Sequence, residues 1–190
     1  MAVRLASVRG VLAIRRLVLA LGLFLAWVPG TSISRGQDGT PLLPGGASSL
    51  QETYGDWRVA CVVRETERLC SLSQQHSQQN GQRVLAIEIV PSAENAANGT
   101  LALPFGLHLS AGVTLTVDDQ PIGGALPFST CLPAGCLVPL ALDSQTIERA
   151  NAGSRLAIGA TASNTGAPMS FTLSLEGFAA AMARTRELLQ

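Results

Sequence analysis

Lysine is absent: all 13 basic residues of the 190-residue chain are arginine. That is compositional bias rather than chemistry, and the placement of the arginines matters more. Arg4, Arg9, Arg15 and Arg16 all precede an apolar run, and removal of the segment through Gly30 leaves 9 basic against 13 acidic residues, a net charge of about −4. A mildly acidic chain without a cationic cluster is a poor nucleic-acid binder, because phosphate contact needs clustered positive charge. Histidine is scarce as well. His76 and His108 have no His-x-x-x-His or His-x-x-Glu companion, which removes the usual metal and general-base patterns. No serine sits in a Gly-x-Ser-x-Gly elbow, and the four cysteines contain neither the Cys-x2-Cys pair that zinc favours nor a Cys-x-x-Cys at a helix start. These absences predict no catalytic residues, no cofactor and no metal.

A second long hydrophobic run is also missing. The one present, Leu17 to Val28, is 12 residues long, about 18 Å as a helix against about 30 Å of hydrocarbon. A basic region followed by a short apolar core ending at Pro29-Gly30 reads as an export signal, processed between 28 and 36 by the ordinary secretory route. No cysteine follows to carry a lipid anchor, and no membrane span is expected in the mature chain. The expected organisation is a signal peptide over 1–30, a flexible Gly/Pro/Ser-rich linker over 31–51, and one domain over 52–190.

What the domain does contain is alternation of period two, the mark of strands with one buried face. Trp57, Val59, Cys61 and Val63 share a face, as do Leu85, Ile87 and Ile89; Val113, Leu115 and Val117; Leu156, Ile158 and Ala160; and Phe171, Leu173 and Leu175. Turn signals separate them at Asn80-Gly81, Asn98-Gly99, Asp118-Asp119, Gly123-Gly124 and Asn164-Thr165-Gly166. Short strands divided by such turns predict an all-β antiparallel sandwich. Two helices are expected, Ser144 to Ala150 and a C-terminal Phe178 to Leu189 with Phe178, Met182, Thr185 and Leu189 on one face.

The cysteines fit this plan. If Cys61 and Cys70 lie on strands joined by a turn at Arg64 to Glu67, they fall opposite one another, and Val59 faces Leu72. Cys131 and Cys136 enclose Leu132-Pro133-Ala134-Gly135, which turns tightly enough to join them. Local pairing is favoured, while four cysteines leave the crossed connectivities open. Each local bridge would stabilise by about 2 to 3 kcal/mol, so structural staples suffice to explain them. Thiol-disulfide exchange at Cys131 and Cys136 is the alternative reading.

Tyr54-Gly55-Asp56-Trp57 followed by Cys61 and Cys70, then Leu103-Pro104-Phe105-Gly106-Leu107, Gly112-Val113, Asp118, Pro127-Phe128, Cys131, Gly135-Cys136 and Leu175-Glu176-Gly177-Phe178 with Ala181, form an ordered pattern. It resembles the invasion-associated locus B family, exported bacterial proteins found widely among alphaproteobacteria, over about 54 to 185. The resemblance implies an immunoglobulin-like β-sandwich, export to the periplasm or outer-membrane region or secretion, and a part in host-cell invasion. It brings no catalytic residues and no cofactor.

The matched residues also carry structural expectations. Trp57 reads as a core plug beside Cys61, Pro104-Phe105-Gly106 as a bend with Phe105 packed, and Gly177-Phe178 as the junction pinning the terminal helix. Asp118-Asp119 reads as a hairpin turn and Glu88 as solvated. The polar stretch Ser73 to Gln82 reads as a loop suited to a protein contact. The sequence therefore points to an exported binding protein, not an enzyme, whose partner is an unknown envelope or host-surface protein.

Overall fold

The computed structural model describes residues 42–190 apart from 78, 80, 82 and 94. The signal segment and linker residues 31–41 lie outside them. A 3-10 turn at Pro44–Gly46 precedes β1 (Ser49–Tyr54), β2 (Trp57–Arg64), β3 (Glu67–Ser77), β4 (Arg83–Pro91) and β5 (Ala97–Leu103). After a second such turn at Leu109–Ala111 come β6 (Val113–Val117), β7 (Gln120–Leu126), β8 (Thr130–Leu132) and β9 (Gly135–Leu142). Helix α1 (Ser144–Ala152), β10 (Arg155–Thr161), β11 (Pro168–Ser174) and α2 (Phe178–Leu189) complete the chain. The strands form a seven-stranded sheet, β1-β2-β3-β4-β5-β9-β8, and a four-stranded sheet, β11-β10-β6-β7. Every pairing is antiparallel. The two-sheet sandwich with a C-terminal helix is the expected architecture, its larger sheet mostly a meander.

Alternation explains the core. Val59 and Leu72 are paired and fully buried, and Ile87, Ile89, Leu101 and Val138 continue the inner face across the large sheet. Ile87, Ile89 and Leu140 meet Leu115, Ile122 and Leu156 of the small sheet around a void of about 20 Å³, which Ile147 of α1 and Phe178 of α2 also line. Helix α2 packs on β1, β2, β3 and β4, sharing the covering layer with the small sheet. Its buried face is Phe178, Ala181, Met182, Thr185 and Leu188, with Leu189 only half-buried, so the expected face shifts by one residue at its end. The Thr185 hydroxyl donates to the Ala181 carbonyl at 2.7 Å, which removes the cost of burying it. In α1 the Asp143 carboxylate caps the N-terminus by accepting from Thr146 N at 2.7 Å.

Several expectations need correction. The domain starts before 52: β1 pairs throughout with β2, and Leu43 is buried, so residues 43 and 49–51 belong to the fold despite the surrounding glycine and serine. Asn98-Gly99 is no turn but lies inside β5 between β4 and β9; a Cβ on Gly99 would stand 2.7 Å from the Glu88 carbonyl oxygen, so the glycine serves close strand approach. Gly123-Gly124 sits within β7 beside a register shift against β6. Asp118-Asp119 does form the β6–β7 turn, with φ of 46° and 66°. Its carboxylates are occupied structurally: Asp118 accepts from Ser154 N and Arg155 N, and Asp119 pairs with Arg155 at 2.6 Å.

Both local disulfides are formed. Cys61 is registered opposite Cys70 and Cys131 opposite Cys136, with Cα separations of 4.1 and 3.9 Å. Neighbouring antiparallel strands bring such pairs together without backbone movement.

A polar latch fastens β1 to α2. Glu52 accepts from Arg184 through both oxygens, at 2.8 and 2.9 Å, and from the Tyr54 hydroxyl at 2.8 Å. The Arg184 hydrogen bond, then that of Tyr54, holds the Glu52 carboxyl below its ordinary value of 4.5. A carboxyl depressed in the folded state stabilises it above the unfolded value and loses that contribution as pH falls through the folded one. The urea midpoint is therefore expected to fall more steeply in wild type than in Glu52→Gln from about pH 5 to about pH 3, where carboxylates titrate. Parallel slopes would show the latch to be energetically silent.

Candidate functional site

The ordered sequence motifs meet at two places. At the first, the Gly55-Asp56 turn between β1 and β2 touches the Glu176-Gly177 junction before α2, and Asp56 N donates to the Glu176 carbonyl at 3.2 Å. Trp57 is fully buried, its indole N–H donates to the Ser174 carbonyl at 3.0 Å, and its ring meets Phe178 edge-on with centroids 4.9 Å apart. Gln74, also buried, accepts from Ser174 N at 3.0 Å and donates to the carbonyls of Ser174 and Asp56 at 3.1 and 3.3 Å. Trp57 and Phe178 thus fill the junction that Gly177 opens into α2, and a glutamine read as part of a loop stitches the two sheets. This is a keystone, with Trp57 and Gln74 both buried.

The second meeting place is open. The chain leaves β5 at Leu103, bends through Pro104-Phe105-Gly106 and returns to the small sheet. Gly106 has φ +87°, its carbonyl accepts from Ser163 N at 2.8 Å, and His108 N donates to the Thr161 carbonyl at 2.8 Å. Leu107 between them is buried. A bend clamped at Gly106 and His108 holds Phe105 outward with 60% of its surface exposed, contrary to the expectation that it packs. Opposite stands the β8–β9 hairpin, tipped by Pro133 and Ala134 and closed by Cys131–Cys136. Gly135 is required here: its φ is +130°, and a Cβ would lie 2.5 Å from the Leu103 carbonyl oxygen.

The third wall comes from the end of β3 and the turn after it. Ser73 to Ser77 are strand, not loop, so only the turn beyond them remains of the expected contact loop, and Gln78, Asn80 and Gln82 lie outside the described residues. Gln75, Ser77, Gly81, Pro104, Phe105 and Pro133–Gly135 enclose a cleft of about 350 Å³. None of these lining residues is ionisable. The cleft offers an aromatic face, two proline faces and neutral hydrogen-bonding groups, a composition that favours uncharged, partly apolar surface.

The remaining candidates stay apart. His76 is exposed at the end of β3, and His108 is exposed in the bend with Ser110 Oγ 3.2 Å from its Nδ1. Glu88 is exposed on the outer face of the large sheet. Among the described residues no three His, Cys, Asp or Glu side chains are placed to hold a metal. Cys131 is exposed and Cys136 buried, but the bridge spans a hairpin rather than a helix start, and none of the cleft-lining residues carries a positive charge that would lower a thiol pKa.

Comparison with known proteins accords with these motifs. The family described as "Invasion associated locus B (IalB) protein" matches residues 57–186. An invasion protein B homolog of Brucella abortus (strain 2308) is 44% identical over 147 residues, covering 77% of this chain and 84% of the relative. Invasion protein B of Bartonella bacilliformis is 33% identical over 148 residues, covering 77% of this chain and 80% of its own. The crystal structure of invasion associated protein B from Bartonella henselae superposes with a TM-score of 0.69 at 32% identity, over 73% of this chain and 96% of that one.

Proposed function

This chain belongs to the invasion associated locus B family, and from that premise we propose that it is an exported, envelope-associated binding protein that holds a partner protein in the cleft between Phe105 and the Cys131–Cys136 hairpin. The observation that carries the proposal is Phe105. A large aromatic side chain held 60% exposed on a bend clamped by backbone hydrogen bonds is the kind of anchor around which interfaces concentrate their energy. Two formed disulfides suit an oxidising compartment, and no helix among the described residues is long and apolar enough to cross a membrane. The relatives are named for invasion, and the proposed partner is accordingly a protein of the envelope or of a host-cell surface.

Quantitative capture from envelope and host-membrane fractions tests this. Wild type is expected to retain a saturable partner that Phe105→Ser binds at least about tenfold more weakly, the loss of one interfacial anchor. Equal retention by a folded Phe105→Ser protein would remove the cleft from consideration. Thiol exchange at Cys131 and Cys136 makes a separate statement: alkylation in mild reductant followed by intact mass would then label this pair alone. Binding by a rigid cleft predicts that both bridges stay unlabelled.

A further inference from the structure

The outer face of the seven-stranded sheet is left uncovered by the described residues, since α2 and the small sheet both pack on the opposite face. Register places Arg58, Ser73, Glu88 and Thr100 in one row across β2, β3, β4 and β5. The next row brings Ala60 beside Ser71, with Val90 following on β4. Beyond it Val62 and Leu69 are paired. Val62, Leu69 and Val90 are 37%, 45% and 44% exposed, and with Ala60, Ser71 and Glu88 they line an apolar groove of about 330 Å³ that Arg68 and, from the end of α2, Leu189 also border. Arg58 and Glu88 are the charged side chains of the first row. Both are exposed, and among the described residues neither makes an ion pair within its own chain.

From this pattern we infer that the face docks a second copy of the same chain. Neighbouring strands lie about 4.8 Å apart, so Arg58 and Glu88 flank Ser73 at equal distances on either side. A two-fold axis lying in the contact plane, parallel to β3 and above Ser73, sets Arg58 of each copy on Glu88 of the other. The same operation sets Ala60 against Val90, and Leu69, Ser71 and Ser73 each against its own counterpart. Turning the axis along the row would instead stack Arg58 on Arg58 and Glu88 on Glu88, which like-charge repulsion forbids. The face is thus self-complementary in charge and in apolar surface for one orientation, the requirement of an isologous dimer. Sheets packed face to face with nearly aligned strands are an ordinary arrangement. The contact is independent of the Phe105 cleft and leaves it open.

Sedimentation velocity over a wide concentration range tests the dimer, using the mature chain and its charge reversals. Wild type is expected to shift from monomer to dimer as concentration rises. Arg58→Glu and Glu88→Arg are each expected to raise the dissociation constant at least about tenfold, because each sets like charges face to face. Mixing these two variants is expected to restore association, as is the double variant R58E/E88R, since both recover opposite charges at each contact. Both side chains point outward, so unchanged circular dichroism and melting temperature confirm that the fold is intact. Wild type monomeric at every concentration overturns the inference, as do single variants that dimerise like wild type or mixtures that fail to recover.

Discussion

Trp57→Ala is expected to destabilise the domain by about 3 to 5 kcal/mol, the range for truncating a large buried aromatic. Three losses combine. The indole is fully buried where both sheets and α2 meet, so its removal opens a cavity beside Ile87, Leu115 and Leu156. Its edge-on contact with Phe178 disappears, which loosens the first turn of α2. The Ser174 carbonyl also loses one of its two side-chain donors, keeping only Gln74. Against a total stability of about 5 to 15 kcal/mol, this takes a large share of the whole. Urea titration followed by far-UV circular dichroism measures it. Trp57→Phe, which keeps a ring but no N–H donor, should fall between wild type and alanine. A loss below about 1 kcal/mol for Trp57→Ala, the size of an ordinary surface change, would show that the keystone is elsewhere.

Gly177→Ala is expected to be nearly as damaging, through the backbone. Gly177 has φ +85°, a left-handed conformation that costs a side-chain-bearing residue about 1 to 2 kcal/mol. A Cβ there would also overlap the Tyr54 carbonyl and stand 2.8 Å from Gly55 N. Gly55 meets the Glu176 carbonyl in the same way, so neither segment can yield without separating the β1–β2 turn from the start of α2. Gly166→Ala supplies the control: φ is +69° there, but nothing lies within 4 Å of the added Cβ. The difference between these two substitutions isolates the steric part. Because Trp57 and Gly177 belong to one junction, their combined effect should fall short of additive. Equal costs for Gly177→Ala and Gly166→Ala would contradict the close approach.

The sequence was most legible where alternation was apolar. β2, β4, β6 and β10, the β10–β11 turn and both helices stand at or close to the expected positions, because each carries its own periodic signal or cap. The middle of β3 escaped notice because Ser71, Ser73, Gln74 and Gln75 are polar on both faces. Its inward Gln74 is tolerated only through hydrogen bonds to Ser174 and Asp56, one of them a hundred residues away, and no local pattern announces that. β9 read poorly because proline usually ends strands. Pro139 lies beyond the reach of β8, which pairs only as far as Leu137, so among the described residues that edge of β9 is unpaired and tolerates the missing N–H.

The cleft itself was only partly legible. Its walls come from Gln75, Ser77 and Gly81, from Pro104 and Phe105, and from Pro133, Ala134 and Gly135, and nothing local says that they converge. Two of the three segments did belong to the ordered family pattern, where they looked like a bend and a staple. The bend proves to be a mount for an exposed aromatic. The staple proves to stiffen the wall facing it. Hydrophobicity alone argued that Phe105 packs; the backbone hydrogen bonds at Gly106 and His108 fix the bend on which it stands out.

The most direct test of binding through this cleft is site-specific photocrosslinking in intact cells, with the photoreactive residue placed at Phe105 or, as a control, at Thr66 in the distant and exposed β2–β3 turn. The cleft account predicts a discrete, saturable adduct with an envelope or host-surface protein from position 105 and none from position 66. Equal labelling from both positions, or none from position 105 in a folded and exported protein, would contradict it.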